Sequence, residues 1–402
     1  MKSIRIKNFG PIKSAEYQLK KFNVIIGPQS SGKSCVLKIS SYCAWVEKRI
    51  ALAQSASDFE LGTTFTDNLI SFHKLQGYLK KDTLIAYKTP FMSFSYTPTE
   101  GFKFEWAKTK RWQYLRPKIS YIPAERNLVS ILHWKDIETK DNNISSFMYD
   151  WDKARKSEKE TEILNLDVKY SFDNGDNRDS IKTTDGNTLE LTNSSSGLQS
   201  LVPLIIHLKY ITSGVYNEEK EKNYRERTLI YEELPFVLYR NFITDNDKTP
   251  TALYELDGKN EREMIHSLLE SHITFKKIGN INLPFNNDED ALEIQKIYNN
   301  LTITQRSDIY IEEPEENLFP TTQKRLVEWM IDHSSKSTFT IATHSPYILT
   351  AFLQDNRKDI NLLFFPKAGN NTILETASEK NIQEIFDYGV DAFFNIESLS
   401  EE

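Results

Sequence analysis

A glycine-rich loop near the start of the chain has the composition and spacing of a phosphate-binding site. The segment fits the pattern G-x4-G-K-[ST] at every fixed position. It consists of Gly27, Pro28, Gln29, Ser30, Ser31, Gly32, Lys33 and Ser34, with Cys35 directly after it. Glycines let the backbone curl so that several N–H groups face one phosphate, and a helix starting at the loop adds a favourable dipole. We therefore predict that residues 27–35 bind a nucleotide, with Lys33 neutralising its β- and γ-phosphates and Ser34 placing a hydroxyl on Mg²⁺.

Two adjacent carboxylates late in the chain can complete this chemistry. The run from Asp308 to Ile311 is typical of an apolar strand, and Glu312 and Glu313 follow it. A carboxylate at the end of a strand beside the phosphate loop can hold the magnesium shell, and the next one can polarise an attacking water. We assign Glu312 to the magnesium ion and Glu313 to the general base.

A second acidic pair, Glu232 and Glu233, follows the similar run Leu229 to Tyr231. We favour the later pair for two reasons. It continues into the segment 315–320, and a further strand that ends at 343–346 follows it. No such segments follow the earlier pair, so we interpret it as a solvated strand end.

The phosphate loop requires a buried strand before it and a helix after it. Phe22 to Ile26 is nearly all apolar, as in a strand buried on both faces, and we predict a helix from Lys33 to Glu47. Alternation at residues 4–9 predicts a half-buried strand. We further predict β-rich structure at 60–122, a helix within 144–163, hairpins at 165–192, helices at 198–210, 290–299 and 323–333, and strands at 309–311 and 338–342.

Length and composition limit the classes of protein to which the chain can belong. The 402 residues correspond to two or three domain-sized units. The net charge of −7 excludes nucleic-acid binding by bulk positive charge. No apolar run approaches the ~20 residues that span a bilayer, and the first residues lack the apolar core of a signal peptide. Cys35 and Cys43 cannot form a disulfide framework. We therefore expect a reduced, cytoplasmic protein without a membrane partner.

The order of the motifs resembles that of the ATP-binding-cassette (ABC) ATPases. The phosphate loop, the run SSGLQS at 195–200, the acids Glu312 and Glu313, and His344 follow one another as in that class. The resemblance is closer to the branch that contains RecF, the SMC and Rad50 heads and the ATPase modules of OLD-family proteins. The phrases NFGPI, YIPAERN, SSGLQS, IEEPEENLFP and THSPYIL resemble the compact bacterial AAA_15/AAA_21 members of that branch.

Many of these members serve phage-defence systems, such as the AriA subunit of PARIS, the PtuA subunit of Septu and retron-associated ATPases. The resemblance covers residues 1–50, 118–130, 190–212 and 305–350. It implies an α/β fold, namely an ABC-type P-loop ATPase head with an antiparallel β-subdomain, a helical lobe and a large insertion before the Walker B strand. It also implies ATP and Mg²⁺ as ligands and slow hydrolysis.

Several residue roles follow only from the resemblance. Ser196, Gly197 and Gln199 match the class signature Leu-Ser-Gly-Gly-Gln, whose helix start contacts the γ-phosphate bound by the opposite subunit. A sandwich dimer or higher oligomer would then complete the site. His344 matches the switch histidine that senses the γ-phosphate. Glu312 departs from the more usual Asp.

The resemblance leaves the roles of some other positions undecided. Phe319 stands where related proteins often carry His, and we assign it no role. The glutamine of the Q-loop cannot be placed. Arg126 is either a residue facing the nucleotide or an interface, or an ordinary structural arginine.

The spacing of the motifs suggests three parts. Gly197 and Glu312 are 312 − 197 = 115 residues apart, whereas in the class only a few tens of residues separate these elements. We therefore divide the chain into an N-terminal part of the head at 1–212, an insertion at 213–305 and a C-terminal part at 306–402. The insertion is predicted to bind a partner or to build an oligomer.

A cluster of basic and aromatic residues offers a second kind of surface. Such clusters can bind nucleic acid by phosphate contacts and stacking, or can simply be the solvated face of a β-subdomain. Its members are Lys103, Lys108, Lys110, Arg111, Arg116 and Lys118, with Phe104, Trp106, Trp112 and Tyr114.

Three functions remain possible at this stage. The first is a phage-defence ATPase that controls a separate effector, such as a nuclease, since only 58 residues follow His344. The second is a DNA-binding repair or maintenance ATPase of the RecF kind. The third is a structural oligomer that ATP holds together.

Overall fold

The computed structural model describes residues 2–107, 110–131, 141–158, 160–217, 228–246, 274–355, 359–389 and 396. Lys108 and the parts 218–227 and 247–273 of the predicted insertion lie outside these residues. The strands are β1 Lys2–Phe9, β2 Ile12–Leu19, β3 Phe22–Ile26, β4 Leu79–Lys88, β5 Met92–Thr97, β6 Gly101–Trp106, β7 Pro117–Ile122, β8 Glu160–Glu162, β9 Val168–Asp173, β10 Arg178–Thr183, β11 Thr188–Glu190, β12 Thr274–Ile278, β13 Ile281–Phe285, β14 Arg306–Glu312, β15 Ser337–Ala342, β16 Ile360–Phe364 and β17 Thr372–Thr376.

The α-helices of the described residues lie on both sides of the main sheet. They are α1 Lys33–Ala53, α2 Ser57–Glu60, α3 Thr64–His73, α4 Leu128–Ile131, α5 Asn143–Ser157, α6 Ser196–Thr212, α7 Leu234–Asn246, α8 Asp288–Thr302, α9 Pro320–Asp332, α10 Pro346–Asp355 and α11 Glu379–Tyr388. None of the described helices is both long and apolar enough to cross a membrane. Cys35 and Cys43 are both free and buried in α1.

One mixed sheet organises the molecule, with the strand order β6-β5-β4-β1-β2-β17-β16-β3-β15-β14-β7. The strands β7, β14, β15, β3 and β16 are mutually parallel, whereas β1, β2, β4, β5 and β6 are antiparallel. In the parallel part the strand ends that precede the phosphate loop, the two acids and His344 share one edge. Open α/β sheets bind ligands at this edge. The predicted α/β class with an antiparallel β-subdomain is therefore confirmed.

The two faces of the parallel strands belong to different cores. In β3, Ile25 packs with α1 and the antiparallel strands, whereas Phe22, Val24 and Ile26 pack with α6, α9 and α10. Every residue of β3 is buried, which explains why all of them except Asn23 are apolar. The phosphate loop thus follows a strand that is fixed from both sides.

Most predicted elements are confirmed with small changes at their ends. The strand at 22–26 matches β3, and the predicted helices at 33–47, 198–210, 290–299 and 323–333 lie within or largely overlap α1, α6, α8 and α9. The hairpins at 165–192 are confirmed as β9, β10 and β11, with the turn at Gly186 (φ +87°). The helix within 144–163 is α5, but it ends at Ser157 and a strand begins at Glu160.

Two predictions of local structure need correction. The segment 60–122 is β-rich as predicted, with strands β4 to β7, but it begins with a helix, α3, whose Phe65 and Leu69 lie one helical turn apart and are fully buried. Residues 229–233 form a π-helical turn that runs directly into α7 instead of a strand. Ile230, Leu234 and Leu238 recur every four residues and are buried together, and this burial favours the helix.

The described part of the predicted insertion does not form a separate core. Helices α7 and α8 and the β12–β13 hairpin pack into the same hydrophobic cluster as α1 and the antiparallel strands. The division of the chain into three parts remains a prediction.

Candidate nucleotide site

The phosphate loop lies between β3 and α1 and has a backbone that glycine makes possible. Gly27 (φ +150°) and Gly32 (φ +108°) adopt positive φ angles, as does Ser30 (φ +61°). A Cβ atom at position 27 would lie 2.8 Å from the Cβ of Phe365, whose N–H is fixed by the carbonyl of Ile26 at 3.0 Å. A side chain at this position would therefore push the loop away from the sheet.

A distant threonine holds the loop from behind. The Thr372 hydroxyl lies 2.8 Å from the carbonyl oxygen of Ser31 and 3.1 Å from that of Pro11. The Ser31 hydroxyl itself is buried and has no hydrogen-bond partner among the described groups. A phosphate oxygen is the kind of acceptor that would satisfy such a group, so the loop fits a nucleotide phosphate.

Lys33 folds back over the loop. Its Nζ donates to the carbonyl oxygens of Gly27 and Pro28, both at 2.8 Å. Burial lowers the pKa of Lys33 to about 8, while the carboxylates of Glu313 and Glu315 act in the opposite direction. The Lys33 side chain can therefore exchange its two hydrogen bonds to carbonyl oxygens for contacts with phosphate oxygens.

This lowered pKa predicts how nucleotide binding depends on pH. Bound phosphates favour protonated Lys33, so binding takes up a proton once free Lys33 has lost its own. We expect the affinity for MgATP to be constant below about pH 8 and to fall above it, by up to about tenfold per pH unit. Titration calorimetry from pH 7 to 9.5 measures this, with Lys33→Ala as the variant that loses the pH dependence. Constant affinity up to pH 9.5 would contradict it.

Glu312 and Ser34 lie next to each other on the floor of the site. Glu312 is 6% exposed, and this burial raises its pKa, while Lys38 and the adjoining hydroxyls of Tyr121 and Ser34 lower it. Carboxylate and hydroxyl oxygens are ligands that suit Mg²⁺. Among the described residues no three His, Cys, Asp or Glu side chains could hold a metal by themselves. These two residues would therefore bind Mg²⁺ together with nucleotide phosphates.

Glu313 and His344 face each other at the mouth of the site. Glu313 has a left-handed backbone (φ +44°), and its N–H donates to the carbonyl of Ala342 at 2.8 Å. His344 Nε2 lies 3.8 Å from Glu313 Oε1, and both side chains are partly exposed. Burial and Lys33 lower the pKa of His344, so its imidazole is neutral at pH 7. The positive φ angle of Glu313 is uncommon for a non-glycine residue, and such angles cluster at functional sites.

Arg126 supports this region from inside the protein. Its guanidinium is fully buried and donates to the carbonyl oxygens of Glu312 at 3.1 Å, Glu313 at 2.9 Å and Pro314 at 3.3 Å. It therefore fixes the backbone at the end of β14 and does not face the nucleotide. This geometry favours the structural alternative for Arg126.

The cleft brings together most of the predicted residues. It has a volume of about 790 Å³, and its described lining includes residues 29–35, Glu313 and His344. It also includes Gly10, Pro11, Lys38, Tyr78, Lys80, Asn370 and Asn371, which the sequence analysis did not identify. The Tyr78 ring packs closely against Gly10, where a Cβ would lie 2.5 Å from the Cδ2 atom of the ring. These side chains extend the cleft beyond the phosphate loop.

The predicted signature residues lie outside this lining. Ser196 is exposed at the start of α6, and Gly197 packs beside the carbonyl of Asn317. The Gln199 side chain donates to the carbonyls of Thr192 at 2.8 Å and Ser194 at 3.0 Å. The helix start is therefore beside the turn after β14 and not at the phosphate loop of its own chain.

Comparisons with known proteins find similar folds but no close relative. No protein-family model and no curated protein sequence matches the chain. The SMC head domain from Thermotoga maritima is 9% identical, with 94% of this chain and 98% of that chain covered and a TM-score of 0.42. The recombination mediator protein RecF-ATPrS in the RecFOR pathway is 10% identical, with 94% and 97% covered and a TM-score of 0.32.

A third solved structure is an SMC head bound to the C-terminal winged-helix domain of ScpA. It is 10% identical, with 95% of this chain and 99% of that chain covered and a TM-score of 0.37. All three TM-scores are below 0.5.

The basic and aromatic cluster at 103–118 is largely engaged within the protein. The Arg111 guanidinium stacks on Trp106 at 4.2 Å and Trp112 at 4.5 Å and pairs with Asp245 at 3.0 Å. Three further cations have protein partners: Lys103 with Glu100, Arg116 with the Thr302 carbonyl, and Lys118 with Asp150. Lys110 is exposed, and Lys108 lies outside the described residues. The cluster therefore gives little support to nucleic-acid binding.

Proposed function

We propose that this chain is an ABC-type ATPase that binds MgATP and hydrolyses it slowly. One observation carries the proposal: Lys33, Glu313 and His344 line the same cleft, and Glu312 adjoins Ser34 at its floor. These residues lie at the start of the helix that follows β3, at the end of β14 and in the segments directly after β14 and β15, and these three strands are neighbours in the sheet. The arrangement supports phosphoryl transfer, which needs a cation for the phosphates, a magnesium ligand and a residue that orients the attacking water.

Each of these residues has its own role in the proposed reaction. The loop amides and Lys33 hold the phosphates, and Ser34 and Glu312 would hold Mg²⁺, which supplies positive charge against the phosphate oxygens when bound. The Glu313 carboxylate orients a water molecule and accepts its proton at Oε. Neutral His344 donates a hydrogen bond from its ring N–H towards the terminal phosphate.

A second copy of the chain would complete the site. The exposed start of α6, with Ser196 and Gly197, is a helix N-terminus that favours an anion. It lies outside the cleft of its own chain, as a signature segment that serves the opposite subunit should. The ATP-bound form is therefore expected to be a dimer or a higher oligomer.

Phosphate release from MgATP tests the activity. The native protein should hydrolyse ATP, and Lys33→Ala should lower the rate by about 100-fold or more, because the phosphate charge loses its partner in a water-poor site. Lys380→Ala is the matched control, since Lys380 is exposed on α11 and pairs with Glu384 at 3.8 Å. Equal rates for native protein and Lys33→Ala would contradict the proposal.

For the biological role we propose a phage-defence ATPase that controls a separate, nuclease-like effector protein. The support is the resemblance of the sequence motifs to that group. Purification of Glu313→Gln with MgATP, from cells that also express the neighbouring genes, tests it. A stoichiometric effector protein is the expected result. Nucleic acid without a protein partner would instead favour a RecF-like DNA-maintenance ATPase. ATP-dependent assembly with negligible hydrolysis by the native protein would favour a structural oligomer.

A further inference from the structure

The turn after β14 carries a glutamate that the function proposed above does not use. Glu315 follows the general base by two residues and is partly exposed. Partial burial raises the pKa of Glu315, while its hydrogen bonds lower it. A carboxyl that is partly removed from water needs hydrogen-bond partners.

Both oxygens of Glu315 accept hydrogen bonds from the loop that carries the switch histidine. Oε1 accepts from the backbone N–H of His344 at 2.6 Å, and Oε2 accepts from the Thr343 hydroxyl at 2.8 Å. The Thr343 oxygen in turn accepts the N–H of Ser345 at 2.9 Å. One carboxylate therefore fixes three consecutive residues at the end of β15.

Glu313 and His344 depend on this bridge for their relative position. Their side-chain atoms are 3.8 Å apart, which is too long for a hydrogen bond. Glu313 is fixed through the Ala342 carbonyl and through Arg126, whereas the backbone N–H of His344 is held by Glu315. The two functional side chains therefore belong to separate loops, which the contact between the Glu313 N–H and the Ala342 carbonyl and the two hydrogen bonds of Glu315 join.

We propose that Glu315 is a positioning residue for ATP hydrolysis, which fixes His344 relative to Glu313 and the terminal phosphate. The inference rests on the proposed function. Glu315 is not among the residues that line the cleft, so its removal should affect the reaction and leave binding in place. A misplacement of about 1 Å in a catalytic group can cost up to about 100-fold in rate.

A double-mutant cycle with His344 tests this proposal. Glu315→Ala should lower kcat by about tenfold or more and leave KM for ATP within about threefold. In a His344→Ala background, the same change should alter kcat by less than about twofold, because the group that Glu315 positions is already absent. The rates come from steady-state phosphate release.

The conservative variant separates position from charge. Glu315→Gln should keep kcat within about threefold of the native value, because its amide oxygen can accept the His344 N–H and its NH₂ can donate to the Thr343 oxygen. Glu328→Gln on the exposed face of α9 is the control for loss of a carboxylate elsewhere. Thr343→Val removes one of the two hydrogen bonds and replaces Glu315→Ala in the cycle if that variant does not fold.

Three results would overturn the inference. They are additive effects of the Glu315 and His344 changes, a Glu315→Gln variant as slow as Glu315→Ala, and an increase in KM without a decrease in kcat. If hydrolysis by the native protein depends on Lys33, any of these leaves the proposed function intact. Absence of Lys33-dependent hydrolysis would overturn both.

Discussion

Glu313→Gln is expected to lower kcat for ATP hydrolysis by about 100-fold or more, within the range that loss of a general base produces. Glutamine has the size of glutamate and leaves the N–H contact with the Ala342 carbonyl in place. It cannot accept a proton from water at neutral pH, so only the rate of the chemical step should decrease. Binding of a fluorescent ATP analogue should change little, and phosphate release measures the rate.

The chain contains a matched control for this variant. Glu233 belongs to the second acidic pair, is exposed and lies in the helical turn before α7, away from the lining of the cleft. Glu233→Gln should therefore hydrolyse ATP at the native rate. If Lys33→Ala is inactive while Glu313→Gln remains active, the general base has been assigned to the wrong residue.

Arg126→Met is expected to lower the free energy of unfolding by about 3 kcal/mol or more. Methionine fills much of the same volume but removes the guanidinium that donates to the carbonyls of Glu312, Glu313 and Pro314, of which the Glu313 carbonyl keeps the N–H of Glu316 as a donor. Hydrolysis should fall as well, because these carbonyls belong to the backbone that carries the magnesium ligand and the base. Urea denaturation gives the change in stability.

Arg5→Met is the control for loss of an arginine charge. Arg5 pairs with Glu16 at 3.1 Å, but both side chains are largely exposed, so the loss should be below about 1 kcal/mol. A similar small loss for Arg126→Met would show that the three carbonyls find other donors or water, and that Arg126 does not fix the end of β14.

The parts of the site that the sequence predicts are those encoded by short segments. The phosphate loop has a fixed spacing, and the buried strand before it is apolar except at Asn23, so β3 and the start of α1 could both be placed. Glu312 and Glu313 follow the same logic at the end of β14. Their meeting with Lys33 and His344 in one cleft follows from parallel strands whose carboxyl ends share an edge.

The parts that the sequence does not reveal depend on contacts between distant segments. Arg126 donates hydrogen bonds to main-chain carbonyls. Because every residue has such a carbonyl, the sequence does not indicate which residues Arg126 contacts. Thr372 at the start of β17 supports the phosphate loop, and Tyr78 before β4 lines the cleft, but neither belongs to a motif. Glu315 stands in a phrase that was noticed, but its hydrogen bonds to the His344 loop appear only when β14 and β15 are paired.

The position of β3 in the sheet sets when a newly made chain can bind ATP. Its hydrogen-bonded neighbours are β15 and β16, so Phe22 pairs with residues 339 and 360. Ribosomes add roughly 5–20 residues per second, so β3 waits on the order of 15–60 s for its first neighbour. Until then the phosphate loop has no sheet behind it. Nucleotide can therefore stabilise only those chains whose synthesis has passed β15 and β16.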